Sequence, residues 1–320
     1  MKKTILSLAL VAMGVVAFAQ KPAAGDKTAE FALNFQTGGA PVSYGLASTI
    51  FPYILGKLNT EALSLHDFVD ATRYIPDNNH MTPSGEEAVK IMRSLGYELG
   101  FIMEPGAEKI SLIDERGVYY SHQRLLSIVT KLFLETNKVR EPYKIAVSIA
   151  GSGEIEMIAK AYNVEVIRIQ NSHSAMMEAT REDNVLFVGG NWGGFIFSDF
   201  LFASDGMYSV GKILEMLAHS NLKLSQLDEE LPRRYQYQND VFCPWEFKGT
   251  VMRRAMEHSE QFRRQLIEGV KIFQDSDSVL LLPAKEHSAF LVVSESDHYD
   301  TAVSLNKKYC SYVSQWQVTD

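Results

Sequence analysis

The residues of this chain that could do nucleophilic or metal chemistry match no independent catalytic motif in their spacing. Cys243 and Cys310 are the only cysteines, which excludes a disulfide framework and a cysteine-based zinc site. Two alternatives stay open for them, a single disulfide in an oxidising compartment and two free thiols. No His-Glu-x-x-His run and no Ser-His-Asp order indicates an independent hydrolase. Any site must therefore be sought in loops that the fold brings together.

The first nineteen residues have the composition of an export signal. Lys2 and Lys3 precede an uncharged run that ends on Ala17-Phe18-Ala19, the small-x-small pattern that signal peptidase recognises. An uncleaved anchor helix is the alternative, but the run is short for a membrane span. We expect cleavage near Ala19, a flexible leader over 20–29, and a mature protein in the periplasm or outside the cell.

The charge balance excludes one class of partner. The chain has 31 Lys and Arg against 39 Asp and Glu, a net charge of −8, and removal of the signal takes away two lysines and no acid. An acidic chain with scattered cations lacks the basic surface that binds a nucleic-acid backbone. We expect no nucleic-acid partner. No later stretch is long and apolar enough for a membrane span.

Beyond the leader, hydrophobic segments alternate between strand and helix patterns. This alternation predicts βαβ units and a mostly parallel sheet. The predicted strands cover 31–35, 99–103, 110–113, 144–149, 164–169 and 185–188. The predicted helices cover 46–58, 86–95, 124–134, 154–162, 174–181 and 206–217, the last with Asp205 as its N-cap.

The pattern changes near Pro232, where we place a domain boundary. One long charged helix is predicted over Lys248–Glu268. Strands over 270–273, 278–282 and 289–293 and a terminal helix are predicted after it. This order is typical of a small α+β domain.

Three segments stand out: the run Gly100 to Gly117, the run Phe187-Val-Gly-Gly-Asn-Trp-Gly-Gly-Phe-Ile-Phe197 with Ser204-Asp-Gly206, and the run Gly269 to Val293. In order and spacing they resemble domains two to four of the alpha-phosphohexomutase (phosphomannomutase/phosphoglucomutase) family. Cys243-Pro-Trp-Glu-Phe-Lys-Gly249 is similar to a stretch in the degenerate mutase-like half of some bacterial mannose-1-phosphate guanylyltransferase fusions. No counterpart of a nucleotidyltransferase half or of the family's first domain, which carries the phosphorylated serine, is found.

The resemblance implies an α/β protein with two mutase-like α/β/α domains, whose sheets are mixed and mostly parallel, and a small C-terminal α+β domain. It assigns residues 30–118 to domain two, 119–232 to domain three and 233–320 to domain four. The preceding residues are the signal over 1–19 and the leader over 20–29.

The family's metal loop, Asp-Gly-Asp-x-Asp-Arg, holds magnesium between three carboxylates. The matching positions here are 104–109, with Glu104 and Glu108 at the outer ligands and Gly106 at the central one. An octahedral magnesium site tolerates little distortion. A weak divalent-cation site from Glu104 and Glu108 is one alternative, and a turn with solvated acids is the favoured one. We expect no cofactor.

The family's sugar loop, Gly-Glu-x-Ser-Gly, uses Glu and Ser to bind sugar hydroxyls. Gly189, Gly190, Asn191, Trp192 and Gly193 lie at this loop, with Gly190 in place of the Glu and Trp192 in place of the Ser. Asn191 can still donate and accept hydrogen bonds, and Trp192 could stack on a sugar ring. The favoured alternative is that the glycines serve a tight path and that Trp192 caps the core.

The family's phosphate loop, Arg-Pro-Ser-Gly-Thr-Glu-Pro, matches positions 282–288. The arginine is lost, the glycine of the anion-binding turn becomes Lys285, and Glu286 would repel a phosphate. Lys285, His287 and Ser288 retain some anion-binding chemistry. A fourth family loop, Gly-Asp-Lys, becomes Ser172-His173-Ser174, where His173 is interpreted as an ordinary loop residue.

The altered loops predict a catalytically inactive relative with no catalytic residue of its own. The signal-like first nineteen residues predict that it is exported. Its ligand would be a carbohydrate or sugar phosphate, or its partner a protein bound at the cleft. One alternative is a mutase completed by a separately supplied first domain. Another is an enzyme of the cytoplasm whose export signal was joined recently to the body.

Overall fold

The computed structural model describes residues 7–10, 15–18, 30–35, 46–57, 61–65, 83–104, 106–120, 122–137 and 142–317. The strands in these ranges are β1 (Ser7–Leu10), β2 (Val15–Phe18), β3 (Glu30–Phe35), β4 (Glu61–Leu65), β5 (Leu99–Met103), β6 (Ile110–Asp114), β7 (Tyr119–Tyr120), β8 (Lys144–Ser148), β9 (Glu165–Ile169), β10 (Val185–Gly189), β11 (Phe195–Phe197), β12 (Tyr235–Phe242), β13 (Arg263–Gln265), β14 (Val270–Gln274), β15 (Asp277–Pro283) and β16 (Ala289–Ser296). The helices are α1 (Leu46–Lys57), α2 (Pro83–Leu95), α3 (His122–Thr136), α4 (Glu154–Ala161), α5 (His173–Ala179), α6 (Gly206–Ser220), α7 (Leu224–Glu230), α8 (Trp245–Ser259) and α9 (Tyr299–Gln315).

Strands β1 and β2 pair antiparallel within the predicted export signal. The predicted cleavage site near Ala19 and the leader over 20–29 lie outside the described residues. Among the helices that the structure describes, none combines the length and the apolar character that a membrane crossing requires.

The first large sheet has the strand order β4-β3-β5-β6-β7. Its strands β4, β3 and β5 run parallel, and β5, β6 and β7 are joined antiparallel. Helix α1 packs Phe51 and Leu55 on one face of this sheet, while α2 packs Ala88 and Met92 on the other. The sheet is therefore covered by helices on both faces, as expected for an α/β domain.

The second sheet, β11-β10-β8-β9, has three parallel strands and one antiparallel edge strand. Helices α3, α4 and α6 cover one face through a large aromatic and aliphatic core, and α5 covers the other. The core on the α3 side continues into the first sheet through Phe101 and Leu112. Asp205 caps α6 by accepting a hydrogen bond from the Tyr208 N–H (2.8 Å), as predicted.

The third sheet, β12-β16-β15-β14-β13, is entirely antiparallel. Helices α8 and α9 pack on one face against a core that contains Ile272, Leu281, Phe290 and Tyr309. The opposite face carries Leu280, which packs against the loop after β8. The predicted fold class, an α/β protein with mixed sheets and a C-terminal α+β unit, is confirmed.

One helix prediction is wrong. The charged segment Lys248–Glu268 does not form a single helix, because α8 ends at Ser259 and the chain then forms the short edge strand β13. Strand β13 pairs with β14, so sheet pairing outweighs the helix propensity of the charged residues. Cys243 and Cys310 are free thiols, the first buried and the second half-buried.

Candidate ligand-binding site

The turn 104–109 joins β5 to β6 and is closed by its own backbone. The Glu104 N–H donates to the Lys109 carbonyl (3.0 Å), and the Ala107 N–H donates to the Glu104 carbonyl (2.8 Å). Ala107 has a φ of 56°, the left-handed conformation expected in a tight turn. The Lys109 ammonium lies 3.3 Å from a carboxylate oxygen of Glu104, while Glu108 is exposed.

This turn does not fit the magnesium of the family's metal loop. Gly106 supplies no side chain, and the Glu104 carboxylate already neutralises a lysine. Within the part of the chain that the structure describes, no three His, Cys, Asp or Glu residues are grouped so as to hold a metal ion. Magnesium binds through several oxygen ligands in near-ideal octahedral geometry, so we derive no chemistry through it.

The turn is bound to the glycine-rich loop 189–194, which follows β10. The Ile110 N–H donates to the Gly193 carbonyl (3.0 Å), and Lys109 and Gly194 form an isolated antiparallel bridge. Gly193 has a φ of 84°, and a Cβ there would lie 2.2 Å from the Ile110 carbonyl oxygen. Only glycine fits this position. The turn and the loop therefore meet at the carboxyl end of the second sheet, where ligands bind in open α/β sheets.

The start of α6 completes this corner. The Gly206 N–H donates to the Ala107 carbonyl (2.6 Å). A Cβ on Gly206 would lie 2.8 Å from the same oxygen, and the Ser204 hydroxyl lies next to Gly194. The predicted loops 104–109 and 189–194 are thus brought together, with the N-terminus of α6 as their third side.

Within the glycine-rich loop, the glycines have steric roles. A Cβ on Gly189 would lie 2.3 Å from Leu126, and one on Gly190 would lie 3.1 Å from the Gly194 carbonyl oxygen. Asn191 is only 6% exposed, and its Oδ1 is one of the buried oxygens without a hydrogen-bond partner in the described structure. Trp192 is half-buried. The loop therefore keeps one inward-facing polar atom that a ligand hydroxyl could satisfy.

The loop after β9 supplies no charged group to the site. Ser172 caps α5 by accepting a hydrogen bond from the Ala175 N–H (3.2 Å). His173 is the first residue of α5 and is exposed. His173 therefore belongs to a helix and not to a loop, and its lack of a catalytic role stays a prediction.

The loop 283–288, between β15 and β16, surrounds a lysine side chain. Lys248 of α8 is 9% exposed, and its ammonium donates hydrogen bonds to the carbonyls of Ala284 and His287, the second of 2.8 Å. The same ammonium lies 3.5 Å from the centroid of the Trp245 ring, a cation–π contact. The loop therefore turns carbonyl oxygens toward a cation, whereas an anion site requires N–H groups.

The predicted phosphate-loop residues are engaged elsewhere. Lys285 lies 2.5 Å from Glu268, and the other oxygen of Glu268 accepts from the Asn171 N–H (2.7 Å). His287 lies 3.5 Å from Asp240. Ser288 contributes its carbonyl, which accepts from the Cys243 N–H (2.9 Å). These contacts join the loop 283–288 to the loop after β9.

A buried polar contact holds the second and third sheets together. Glu295 is 2% exposed, and its two carboxylate oxygens accept hydrogen bonds of 3.0 Å from the Gly153 N–H at the start of α4. The Ser152 hydroxyl donates to the same carboxylate. A carboxylate at a helix N-terminus is stabilised by the exposed N–H groups.

Lys271 reinforces the same interface. It is 5% exposed, and its ammonium donates to the Ile149 carbonyl (3.3 Å). Burial, and secondly the charge of Arg168, lower the pKa of Lys271 to about 8 against an opposing effect of Glu295. Sequence reasoning did not find Lys248, Glu268, Lys271 or Glu295. The one local signal in the sequence is the spacing of Trp245 and Lys248, which lie one helical turn apart and could have indicated their contact.

Known proteins share sequence similarity with this chain. Residues 121–235 match the family described as phosphoglucomutase/phosphomannomutase, alpha/beta/alpha domain III. A phosphoglucomutase/phosphomannomutase of Thermococcus kodakarensis is 27% identical over 265 residues, which cover 81% of this chain and 57% of that protein. A probable phosphoglucosamine mutase of Methanopyrus kandleri is 22% identical over 271 residues, covering 84% of this chain and 59% of that protein.

Solved structures give the same fold. A phosphoglucomutase/phosphomannomutase family protein of Burkholderia thailandensis aligns with a TM-score of 0.75 at 15% identity, over 90% of this chain and 61% of that one. An N-acetylphosphoglucosamine mutase of Aspergillus fumigatus aligns with a TM-score of 0.66 at 10% identity, over 91% of this chain and 62% of that one. The chain spans less than two thirds of the length of each of these four proteins.

The fold is the α/β fold of the solved phosphohexomutase structures. The domain match, the sequence relatives and the structural likeness agree on this fold. The chain is similar to phosphoglucomutases/phosphomannomutases over most of its length, and its domain match covers residues 121–235.

Proposed function

We propose that this chain is a phosphohexomutase-related binding module that does not itself transfer phosphoryl groups. Its cleft would hold a carbohydrate or sugar phosphate, or present a surface to a protein partner. The observation that carries the proposal is the position of the Lys248 ammonium against the carbonyls of the loop 283–288. Where the family places a phosphate, this loop binds a cation of its own chain.

Phosphoryl transfer requires the charge of the transferring group to be held and oriented. The carbonyls of Ala284 and His287 point at Lys248, and Lys285 is paired with Glu268. Exposed Glu286 adds a negative charge at the same loop. The turn 104–109 has lost the central carboxylate that the family uses for magnesium. Both charge-holding elements are thus replaced by groups that would not stabilise the transition state.

The binding proposal rests on the loop 189–194, which meets the turn 104–109 and the start of α6. Asn191 offers a buried oxygen without a partner, and the glycines keep the loop in a conformation that other residues would not adopt. A buried polar atom that is left unsatisfied is expected to meet a ligand or an ordered water.

Export is the second part of the proposal, and it is supported by the signal-like first nineteen residues. Mass spectrometry of the protein purified from separated cell fractions tests it. A mature chain that begins near Gln20, found outside the cytoplasm, is expected. An uncleaved chain in the cytoplasm would overturn export and favour an enzyme that works where sugar phosphates are made.

Calorimetry with glucose, mannose and their 1- and 6-phosphates tests the binding function. Wild-type protein is expected to bind at least one of these probes, and Asn191→Ala is expected to weaken that binding. Because the Asn191 Oδ1 has no partner, its removal should leave the unfolding temperature near that of the wild type. Silence across the whole panel would remove the carbohydrate version and leave only a protein partner.

A second candidate is a sugar-phosphate mutase that is active only with a separately supplied first domain. The relatives named mutases favour it, because this chain matches only 57–59% of the length of two of them. Mixing the chain with a separately produced first domain of such a relative, magnesium and hexose 1-phosphate tests this. Product above the level of the first domain alone would support the mutase, and its persistent absence would dismiss it.

A further inference from the structure

The third sheet has one face covered by helices and one face turned toward the second sheet. Leu280 and Val293 on the second of these faces pack against Ile149 in the loop after β8. Directly opposed residues of an antiparallel pair share a face, and Val293 opposes Gln238 of the edge strand β12. The even-numbered residues of β12 therefore lie on the face that is turned toward the second sheet.

The contact with the second sheet does not extend over the end of β12. Phe242 is 71% exposed, which is the largest exposure among the large hydrophobic residues that the structure describes. Its cross-strand partner is Ala289, whose side chain is too small to cover an aromatic ring. The Gln317 side chain donates to the Phe242 carbonyl (2.8 Å) and so fixes the backbone that carries the ring.

A polar pair lies beside this ring. Asp240 is on the same face of β12 as Phe242, because side chains alternate along a strand. Asp240 lies 3.5 Å from His287, and both side chains are more than half exposed. The His287 carbonyl in turn accepts a hydrogen bond from Lys248 (2.8 Å), which holds the loop that carries His287. We call Phe242, Asp240 and His287 the Phe242 surface.

The charges around the Phe242 surface disfavour an anion. The cations of the loop are engaged, Lys248 by carbonyls and Lys285 by Glu268. The exposed side chains of Asp240 and Glu286 add negative charge. A phosphate group would meet the like charge of these carboxylates, while the ammonium groups of Lys248 and Lys285 are already engaged. A group with hydroxyls and an apolar face would meet an aromatic ring, a carboxylate acceptor and an imidazole, which matches a neutral sugar.

We propose that the Phe242 surface binds an unphosphorylated sugar unit, with one face of the pyranose ring on Phe242 and its hydroxyls hydrogen-bonded to Asp240 and His287. This inference goes beyond the site at Asn191, because it places a carbohydrate site on the third sheet, and it names the class of ligand, a neutral saccharide. It assigns the discrimination against phosphate to Asp240, which the family's phosphate loop does not include.

The test uses the full chain and four probes: methyl α-D-glucopyranoside, methyl α-D-mannopyranoside, glucose 6-phosphate and mannose 6-phosphate. Saturation-transfer NMR and titration calorimetry measure binding. A neutral glycoside is expected to bind about 10-fold more tightly than its phosphorylated counterpart, as a difference of about 1.4 kcal/mol would give. Phe242→Ala should weaken glycoside binding by about 10-fold or more.

Two variants sharpen the result. Tyr299→Ala removes another exposed aromatic ring, which contacts Tyr235 and Tyr237 on the opposite face of the same sheet, and should leave binding unchanged. Asp240→Asn keeps a hydrogen-bonding side chain but removes its charge. This variant should reduce the difference in affinity between the neutral and the phosphorylated probes.

The outcomes separate this inference from the proposed function. Glycoside binding that Phe242→Ala leaves intact would overturn the Phe242 surface while the binding function stands. Tighter binding of the phosphorylated probes would do the same. Absence of binding for all four probes would overturn the Phe242 surface and the carbohydrate function together.

Discussion

The ammonium group of Lys248 donates a hydrogen bond of 2.8 Å to the carbonyl oxygen of His287. The two residues are 39 positions apart, and a second hydrogen bond joins the same ammonium to Ala284. The lysine thus holds the whole turn between β15 and β16 from inside. The loop that resembles the family's phosphate loop is here bound to a cation of its own chain.

Replacing this lysine should loosen the protein. Lys248→Met keeps most of the apolar stem but leaves two carbonyls without their charged donor, which should lower the free energy of unfolding by about 2 kcal/mol. Urea denaturation measures the change. Arg253→Met, an exposed position on the same helix, is the control and should stay within about 0.5 kcal/mol of the wild type. Equal stability of both variants would contradict the internal role of Lys248.

The glycine-rich loop should tolerate no side chain at its left-handed residue. Gly193→Ala places a Cβ 2.2 Å from the Ile110 carbonyl oxygen at a φ of 84°. We expect it to destabilise the protein by about 2 kcal/mol or more. Gly211→Ala in α6, where nothing lies within 4 Å of the new Cβ, should stabilise by about 0.5–1 kcal/mol. Paired thermal melts test this, and a neutral Gly193→Ala would refute the contact between the two loops.

Because of Lys271, the free energy of unfolding should increase with pH in mildly alkaline solution. Its folded pKa is about 8, below the ordinary value of 10.5, so the unfolded chain binds more protons between these values and stability increases with pH. The gain is about 3 kcal/mol over this window and is absent below pH 8. Since buried tyrosines act in the opposite direction, the measured quantity is the difference in unfolding free energy between wild type and Lys271→Met. A difference that is flat from pH 7 to 10 would contradict the burial of this lysine.

The contact of Glu295 with the start of α4 should fix the third sheet on the second. Glu295→Ala removes a buried carboxylate that accepts from Gly153 and Ser152. It should cost about 2–3 kcal/mol and increase the radius of gyration measured by small-angle X-ray scattering. Glu286→Ala, at an exposed position of the neighbouring loop, is the matched control. An unchanged radius and stability for Glu295→Ala would show that other contacts hold the two units.

Local patterns were sufficient for most of the fold. The apolar runs before Gly189 and after Lys144 predicted parallel strands, and Asp205 predicted the start of α6. The failures came where strand pairing outweighed the local helix propensity or where an exposed strand lacked an apolar run. Arg263 to Gln265 have good helix propensity, yet they form a strand because β14 offers an open edge. Strand β12 was missed although its Tyr-Gln-Tyr-Gln alternation is typical of a half-exposed strand.

The candidate site was predictable as a set of loops but not as an arrangement. The positions of Glu104, Gly190 and Lys285 followed from comparison with the family's motifs. Their partners did not, since Lys248 reaches its loop from a helix 36 residues earlier. No spacing rule connects Glu295 to Gly153 across 142 positions. Contacts of this kind depend on the packing of whole sheets.

The central claim, that this chain does not transfer phosphoryl groups, is tested most directly by ³¹P NMR. The purified full chain is incubated with Mg²⁺ and glucose 1-phosphate or mannose 1-phosphate, and ³¹P NMR records the 6-phosphates formed. We predict no product above a protein-free control, because the loop 283–288 holds Lys248 and the turn 104–109 has lost its central carboxylate. Metal-dependent turnover at roughly 1 s⁻¹ or faster, a rate ordinary for enzymes, would contradict the account.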